Sequence, residues 1–500
     1  MSVSLRPILV VVCLASTSLV AQDTSARTEE LTQLKRDLQQ TRSELANSQR
    51  EIEVLRQNLE ALRDQVQAMN PAANKPAEIP MPAAERQTSA VAEPTVASAD
   101  QDVGFLAAKI QELHQDKVES ASKYPVKLSG LVLFNAYRNS GSLDIQDLPS
   151  LAFPNFPDFP DGSVGATLRQ TILGVEATGP KIFGGRSSAN VEVDFAGGSP
   201  TTAYGVTAGL LRLRTGGIHL DWQKTALHIG QDVPFFSPLN PTSYATMLEP
   251  AMSWSGNLWV WTPQIEVEHR LTLGSDSSLL LQGGLLDPLT EEMPSFQGVS
   301  PTAGEATRVP AFAGRIAIDR LQAEDYPFSI GIAGYRARQR YGTFNQVDSW
   351  TVNTDLKIPL GKHLELSGEW YDGQAVGGLG GGIWSSVVFP EPLTPHTDIH
   401  ALRSTGGWAQ LKVRPAQHFQ INGAFGQDEN FGKDLRFFPT SYASIGFPPF
   451  KKNRTEFLNF IYEPNSFLLF AVEYRHLMTT PAAGESASGD HLNLAAGVRF

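Results

Sequence analysis

Cysteine is almost absent: the 500 residues hold one, Cys13, and it sits inside the first apolar run. Nothing downstream can form a disulfide or a cysteine-ligated metal site. Long apolar stretches are also missing. Beyond the N-terminus no window approaches the ~20 apolar residues of a spanning helix, which excludes a helical membrane protein. Nor is positive charge in excess. The formal net charge of −12 argues against non-specific binding to nucleic acid.

What is present begins with an export signal. Arg6 precedes the apolar run Ile8 to Leu14, and the small residues Ala15 to Ser18 follow. Residues 1–21 read as a signal peptide cut after Ala21, although Leu19 is an imperfect residue at the third position back. Val10, Val11 and Val12 ahead of Cys13 lack the small residue that lipoprotein processing needs, so no lipid anchor is expected.

A seam with alternating steps of three and four follows: Leu31, Leu34, Leu38, Thr41, Leu45, Ser48, Ile52, Leu55, Leu59, Leu62, Val66, Met69. A sustained seven-residue repeat implies a left-handed supercoil, so residues 27–70 are expected to be a coiled-coil oligomerisation segment. The stripe is too narrow and too long for a single amphipathic helix lying on a domain. The mixture of Leu, Ile and Val does not decide between two strands and three. Asn70-Pro71 stops the helix, and residues 71–123 read as a Pro/Ala-rich spacer with a short helical stretch.

From 124 to 500 the period changes to two. Ala189, Val191, Val193 and Phe195 interleave with Asn190, Glu192 and Asp194, and Ile265, Val267 and Leu271 with Glu266, Glu268 and Arg270. Val352, Leu356 and Ile358 alternate with Asn353, Asp355 and Lys357, and Leu411 and Val413 with Gln410, Lys412 and Arg414. Leu468, Phe470, Val472 and Tyr474 alternate with Glu473 and Arg475, and the chain ends on an apolar strand closing at Phe500. A soluble sandwich would alternate in the same way. Three features favour an all-β transmembrane barrel instead: charges recur at successive alternate positions, short turns alternate with long loops, and the last strand ends on an aromatic residue. The long loops are 139–166, 234–257, 375–403 and 428–452. Segments beginning near 125, 167, 187, 207, 225, 258, 278, 308, 327, 346, 364, 404, 417, 453, 466 and 488 give about sixteen antiparallel strands. That architecture implies a bacterial outer-membrane location with a periplasmic N-terminal segment. Trp222, Trp259, Trp261, Trp350, Trp370, Tyr371 and Trp408, near strand ends, read as an interfacial girdle.

The opening strand "VKLSGLVLFNAYRNSG" and the segment "LHIGQDVPFFSPLNPTS", set behind a coiled coil and spacer, resemble the DcaP-like trimeric porins; the phosphate-selective porins are also similar. The resemblance implies a sixteen-stranded trimer that carries small, mostly anionic solutes, with dicarboxylates implied for the first group. Leu131 and Leu133 depart from it, standing where polar residues are expected.

Candidate pore-lining residues are Glu192, Asp194, Arg212, Arg214, Glu266, Glu268, Arg270, Asp355, Lys357, Lys412, Arg414, Glu473 and Arg475. Arg212 and Arg214 can form rungs for anions, or can pair with Glu192 and Asp194 across strands and stiffen the wall. Loop 234–257 follows the fifth segment, where such porins often fold a loop into the channel, and Glu249 is its candidate constriction residue. Phe500 is the expected insertion signal. "GGLGGG" at 377–382 lacks a βαβ context and reads as loop flexibility. In "HTDIH", His396 and His400 stand four apart, but Thr397 replaces the base of a zinc-protease helix, so a solvated loop is favoured. The expected function is passive diffusion of small polar solutes, with no catalysis, metal or organic cofactor. The alternatives are an envelope tether around a largely blocked barrel and an outer-membrane barrel enzyme. Expected partners are further copies of the chain, outer-membrane lipid, the barrel-assembly machinery and small solutes, with no nucleic acid.

Overall fold

The computed structural model describes residues 124–155, 161–198, 209–274, 276–290, 301–320, 328–341, 345–389, 398–437 and 449–500. The expected signal peptide, coiled coil and spacer lie outside the described residues.

The described strands, numbered along the chain, are β1 Val126–Ser140, β2 in two pieces (Ser163–Thr167 and Ile172–Thr178), β3 Arg186–Asp194 and β4 Arg212–Asp221. Next come β5 Thr225–Asp232, β6 Thr262–Thr272, β7 Ser277–Leu286 and β8 Ala311–Arg320. They are followed by β9 Phe328–Tyr341, β10 Asn345–Pro359, β11 Leu364–Gln374 and β12 Arg403–Ala416. The last four are β13 Phe419–Asn430, β14 Phe450–Tyr462, β15 Leu468–Pro481 and β16 Ala487–Arg499. Each pairs antiparallel with its neighbours in the chain. β1 pairs with β16 from Leu131 opposite Arg499 to Ser140 opposite Asp490, so the sheet closes on itself and leaves no edge. Both pieces of β2 pair with β1, one along Asn135–Asn139 and the other along Val126–Leu131, which makes the barrel sixteen strands. Every segment anticipated from the alternation corresponds to one of them. The largest displacement is at β4, which begins at Arg212 rather than near 207.

The polarity is that of a globular protein turned inside out. Val132, Phe134, Val191, Leu213, Ile265, Val267, Ile316, Ile330, Ile332, Val352, Leu411, Leu458, Phe470, Leu492 and Leu494 are exposed on the outer face. Asn135, Asp194, Asn353, Asp355, Gln410, Asn422, Asn459, Glu473 and Asn493 are buried on the inner one. In a closed strand successive side chains point to opposite faces, so one apolar residue in two gives a continuous greasy outer band. No helix among the described residues is long and apolar enough to cross a membrane.

Connections are short at the end that holds both termini of the barrel and longer at the other end, at 141–162, 195–211, 233–261, 287–310, 375–402 and 431–449. Two connections are exceptions there: the 3-residue 342–344, which joins β9 and β10 of 14 and 15 residues, and the 5-residue 482–486, which joins β15 and β16. At the terminal end Phe500 seals the seam: it exchanges backbone hydrogen bonds with Gly130 at 2.9 and 3.1 Å. Its ring lies over Gly130, where a Cβ would come within 2.7 Å of the ring edge. Deleting Phe500 is expected to slow insertion and leave periplasmic precursor. Fractionation and heat-modified migration check this, and a normal barrel yield would contradict it.

Candidate functional site

The connection between β5 and β6, residues 233–261, does not lie on the surface. Asn240 is its one exposed residue. This inner loop crosses the barrel and bonds to the inner faces of strands far away in sequence. Ser237 Oγ and the Leu239 N–H donate to the two oxygens of Glu369 on β11, at 2.6 and 2.8 Å. The Thr242 N–H donates to Gln410 on β12 at 2.6 Å, and Asn459 on β14 donates back to the Thr242 carbonyl at 2.9 Å. Ser243 donates to Glu473 on β15, and Asn135 on β1 donates to the Tyr244 carbonyl at 2.8 Å. Asn453 donates to the Trp254 carbonyl at 2.9 Å, and Ser255 and Thr455 share a hydrogen bond of 2.8 Å. An irregular loop inside a barrel must satisfy its backbone groups somewhere, and here the polar inner wall does so.

Two local irregularities of the wall have their cause in this loop. Leu131 and Leu133, out of place on an inner face, join Leu469 and Ala495 in an apolar patch that receives Tyr244 and Met247. The break in β2 turns Gln170 inward: it accepts from the Met247 N–H at 2.7 Å and donates to the Ala245 carbonyl at 3.1 Å. Gly256 (φ +95°) is a position only glycine can hold, because a Cβ there would meet the β12 backbone at Gly407 within 2.4 Å.

Each charged candidate lies on the inward parity of its strand. Asp194 is fully buried and accepts from Arg212 at 3.1 and 2.7 Å and from Arg214 at 3.1 Å. The same guanidinium groups donate to the inner-loop carbonyls of Leu248 and Met247. Both stack against Trp261, 5.0 and 4.4 Å from the ring centroid. The pair is therefore built into the attachment of the loop, and Glu192 stands half-buried beside it. Glu473 binds its neighbour Arg475 at 2.7 Å as well as Ser243. Asp355 is held by Arg315 at 2.6 Å, and Arg270 bridges Glu268 at 2.7 Å and Asp319 at 3.0 Å. Glu365 draws Lys412 to 3.6 Å and Arg414 to 3.4 Å, and Lys357 is half-buried. Glu266 accepts from Gln282 at 2.6 Å.

Glu249 lies within the inner loop but its carboxyl is buried, with Oε2 lacking a hydrogen-bond partner among the described residues. Burial pushes it up to about 7, and the charge of Asp144 adds to the effect while Arg212 opposes it. Asp144, in the connection 141–162, is pushed up to about 6 by burial against the backbone bonds it accepts. Sequence spacing carries no signal for this influence, since only the folded loops bring the charge of Asp144 to bear on Glu249.

Two expectations need correction. Of the proposed girdle, Trp370 does face outward, but Trp259, Trp261, Tyr371 and Trp408 are buried inside. Strand parity was the missed signal, because Trp408 shares the face of Gln410 and Tyr371 that of Glu369. The glycine-rich 377–382 is not a flexible tip. It is buried, the Leu379 carbonyl accepts from the Trp259 N–H at 3.1 Å, and the Gly382 N–H donates to the Tyr371 hydroxyl at 2.9 Å. Tyr371 in turn donates to Asp428 at 2.7 Å. His400 stacks on Phe437 at 3.9 Å with Asp398 3.5 Å away, whereas His396 lies outside the described residues. No group of three or more metal-binding side chains occurs among the described residues.

A closed sixteen-stranded barrel, apolar outside, polar inside and crossed by the loop after its fifth strand, has the fold of the outer-membrane porins. Among solved structures it is similar to the outer membrane channel DcaP of Acinetobacter baumannii, with a TM-score of 0.57 at 16% identity over 77% of this chain and 99% of that one. It also matches an anion-selective porin from Comamonas acidovorans, with a TM-score of 0.47 at 12% identity over 76% of this chain and 100% of that one. No family model matches the sequence, and no curated protein does. At such identities the likeness is one of fold.

Proposed function

We propose that the chain is an outer-membrane porin through which small polar solutes diffuse passively, past a lumen narrowed by residues 233–261. The observation that carries this is the inner loop itself: it is anchored to a charged and amide-rich wall, in a barrel whose outer face is apolar. The protein works as a homo-oligomer, a trimer by the resemblance, held in part by the heptads of 27–70. The barrel-assembly machinery inserts it among outer-membrane lipids. The anionic and dicarboxylate preference expected from the resemblance rests on Arg212 and Arg214 facing solute, and the bonds those residues make favour an anchoring role instead.

The near-complete burial of the inner loop favours a second reading, a tether whose barrel is almost closed. Swelling of liposomes loaded with the full-length protein separates the two. A porin is expected to admit solutes of amino-acid size faster than disaccharides. Swelling no faster than in protein-free liposomes, for every solute, would favour the tether.

A further inference from the structure

Beside the first residues of the inner loop, the inner wall of β4 to β7 is hollowed into a cavity of about 180 Å³. The hollow has a local cause. Gly217 and Gly230 stand opposite each other on β4 and β5, so close that a Cβ on Gly230 would run into the Gly216 carbonyl, and no side chain fills the wall there. Its volume admits several heavy atoms rather than a single water.

The chemistry of the lining is one-sided. Asp232, Glu266 and Glu268 line it, and no lysine or arginine is among the lining residues. Glu268 is already matched by Arg270 at 2.7 Å, which leaves Asp232 and Glu266 as the surplus carboxylates. His228 stands with Nδ1 3.5 Å from Glu266 Oε2, its ring 4.9 Å from that of His219. A separate observation points to a bound donor. Gln264 lines the cavity, is only 8% exposed, and its Oε1 is buried without a hydrogen-bond partner. The amide orientation is fixed, because its nitrogen donates to the Val233 carbonyl at 2.8 Å and a carbonyl can only accept. An orphaned buried acceptor costs free energy that a ligand N–H would recover. Phe235, Pro234 and Pro238 complete the rim with apolar surface.

We propose that this cavity is a subsite for a small organic cation with a primary ammonium group and a short alkyl part. The three N–H donors of the ammonium meet the acceptors of Asp232, Glu266 and Gln264, and the alkyl part lies against Phe235. The proposal deepens the porin reading by naming a solute class, and rests on it only for how the solute arrives.

The test is calorimetric titration of the full-length protein in detergent with n-butylammonium, butyrate and tetramethylammonium at low ionic strength. Butylammonium is expected to bind and butyrate not to. Tetramethylammonium, which has charge but no N–H, is expected to bind about tenfold more weakly. Asp232→Asn and Glu266→Gln should each weaken butylammonium binding about tenfold while keeping heat-modified migration. Asp232 is exposed, so its replacement leaves the packing of the wall intact. Butyrate binding as well as butylammonium, or both variants binding like the parent protein, would overturn the proposal. Conductance of the same sample keeps the two readings apart. Current without ammonium binding rejects the subsite and keeps the pore, and binding without current does the reverse.

Discussion

Replacing Arg212 and Arg214 together by Gln is expected to loosen the inner loop, lowering the midpoint of heat modification and raising both unitary conductance and current noise. Both guanidinium groups hold Asp194, whose side chain is fully buried, and both also donate to loop carbonyls. Removing them leaves a buried carboxylate with the Ala196 N–H but no cation beside it, a change that costs about 3–5 kcal/mol in a protein interior. If these residues were open rungs for anions instead, the dominant effect would lie in selectivity. A unit charge 4 Å from a solute contributes about 4 kcal/mol at an effective dielectric constant near 20, and even ~1.4 kcal/mol at a limiting barrier changes permeation tenfold. A double variant with unchanged melting and conductance, but a reversal potential moved toward cations, would show that the arginines face solute.

The second large effect is a dependence on pH centred on Glu249. Its folded value, about 7, lies above the ordinary glutamate value of 4.5, so the folded loop binds a proton that the released loop gives up. Seating of the inner loop is therefore firmest below pH 4.5, weakens as pH rises from 4.5 to about 7, and is least firm above that. Asp144, raised from 3.8 to about 6, acts in the same direction over a lower window. For Glu249 alone the shift corresponds to roughly 3 kcal/mol. Protection factors of residues 233–261, the observed exchange rates corrected for the intrinsic rate at each pH, should thus be larger at pH 5 than at pH 8, with open-channel noise greater at pH 8. Glu249→Gln, which cannot ionise, is expected to keep the same protection factors at both values. Equal protection factors in the parent protein at the two pH values would contradict this account.

The sequence declared the barrel because the physics of a closed strand in lipid is local. Val191 outward and Glu192 inward is decided by a period of two that any short window shows. The break in β2 and the late start of β4 are not legible in the sequence because each depends on what the chain meets inside. Gln170 turns inward to serve Met247, and Arg212 is fixed by Asp194 and Leu248. The same reason explains the misplaced aromatics. Trp408 and Tyr371 carry no mark that separates a lipid interface from a packed lumen, except their parity with polar neighbours. That loop 234–257 would enter the barrel was suggested by its position and aromatics. Its anchors on β11 to β15 were not legible, since Glu369 and Glu473 look like any other inward charge until a loop is laid across them. Asp144 and Glu249 lie a hundred residues apart, and only the folded loops bring them together.

Whether ions pass the inner loop is measured directly by single-channel recording of the full-length protein in a planar bilayer. Discrete, reproducible current steps are the predicted result, with larger steps when Arg212 and Arg214 are both Gln. A barrel that is inserted and heat-modifiable, yet gives no current above the bare membrane in either form, would contradict the porin reading.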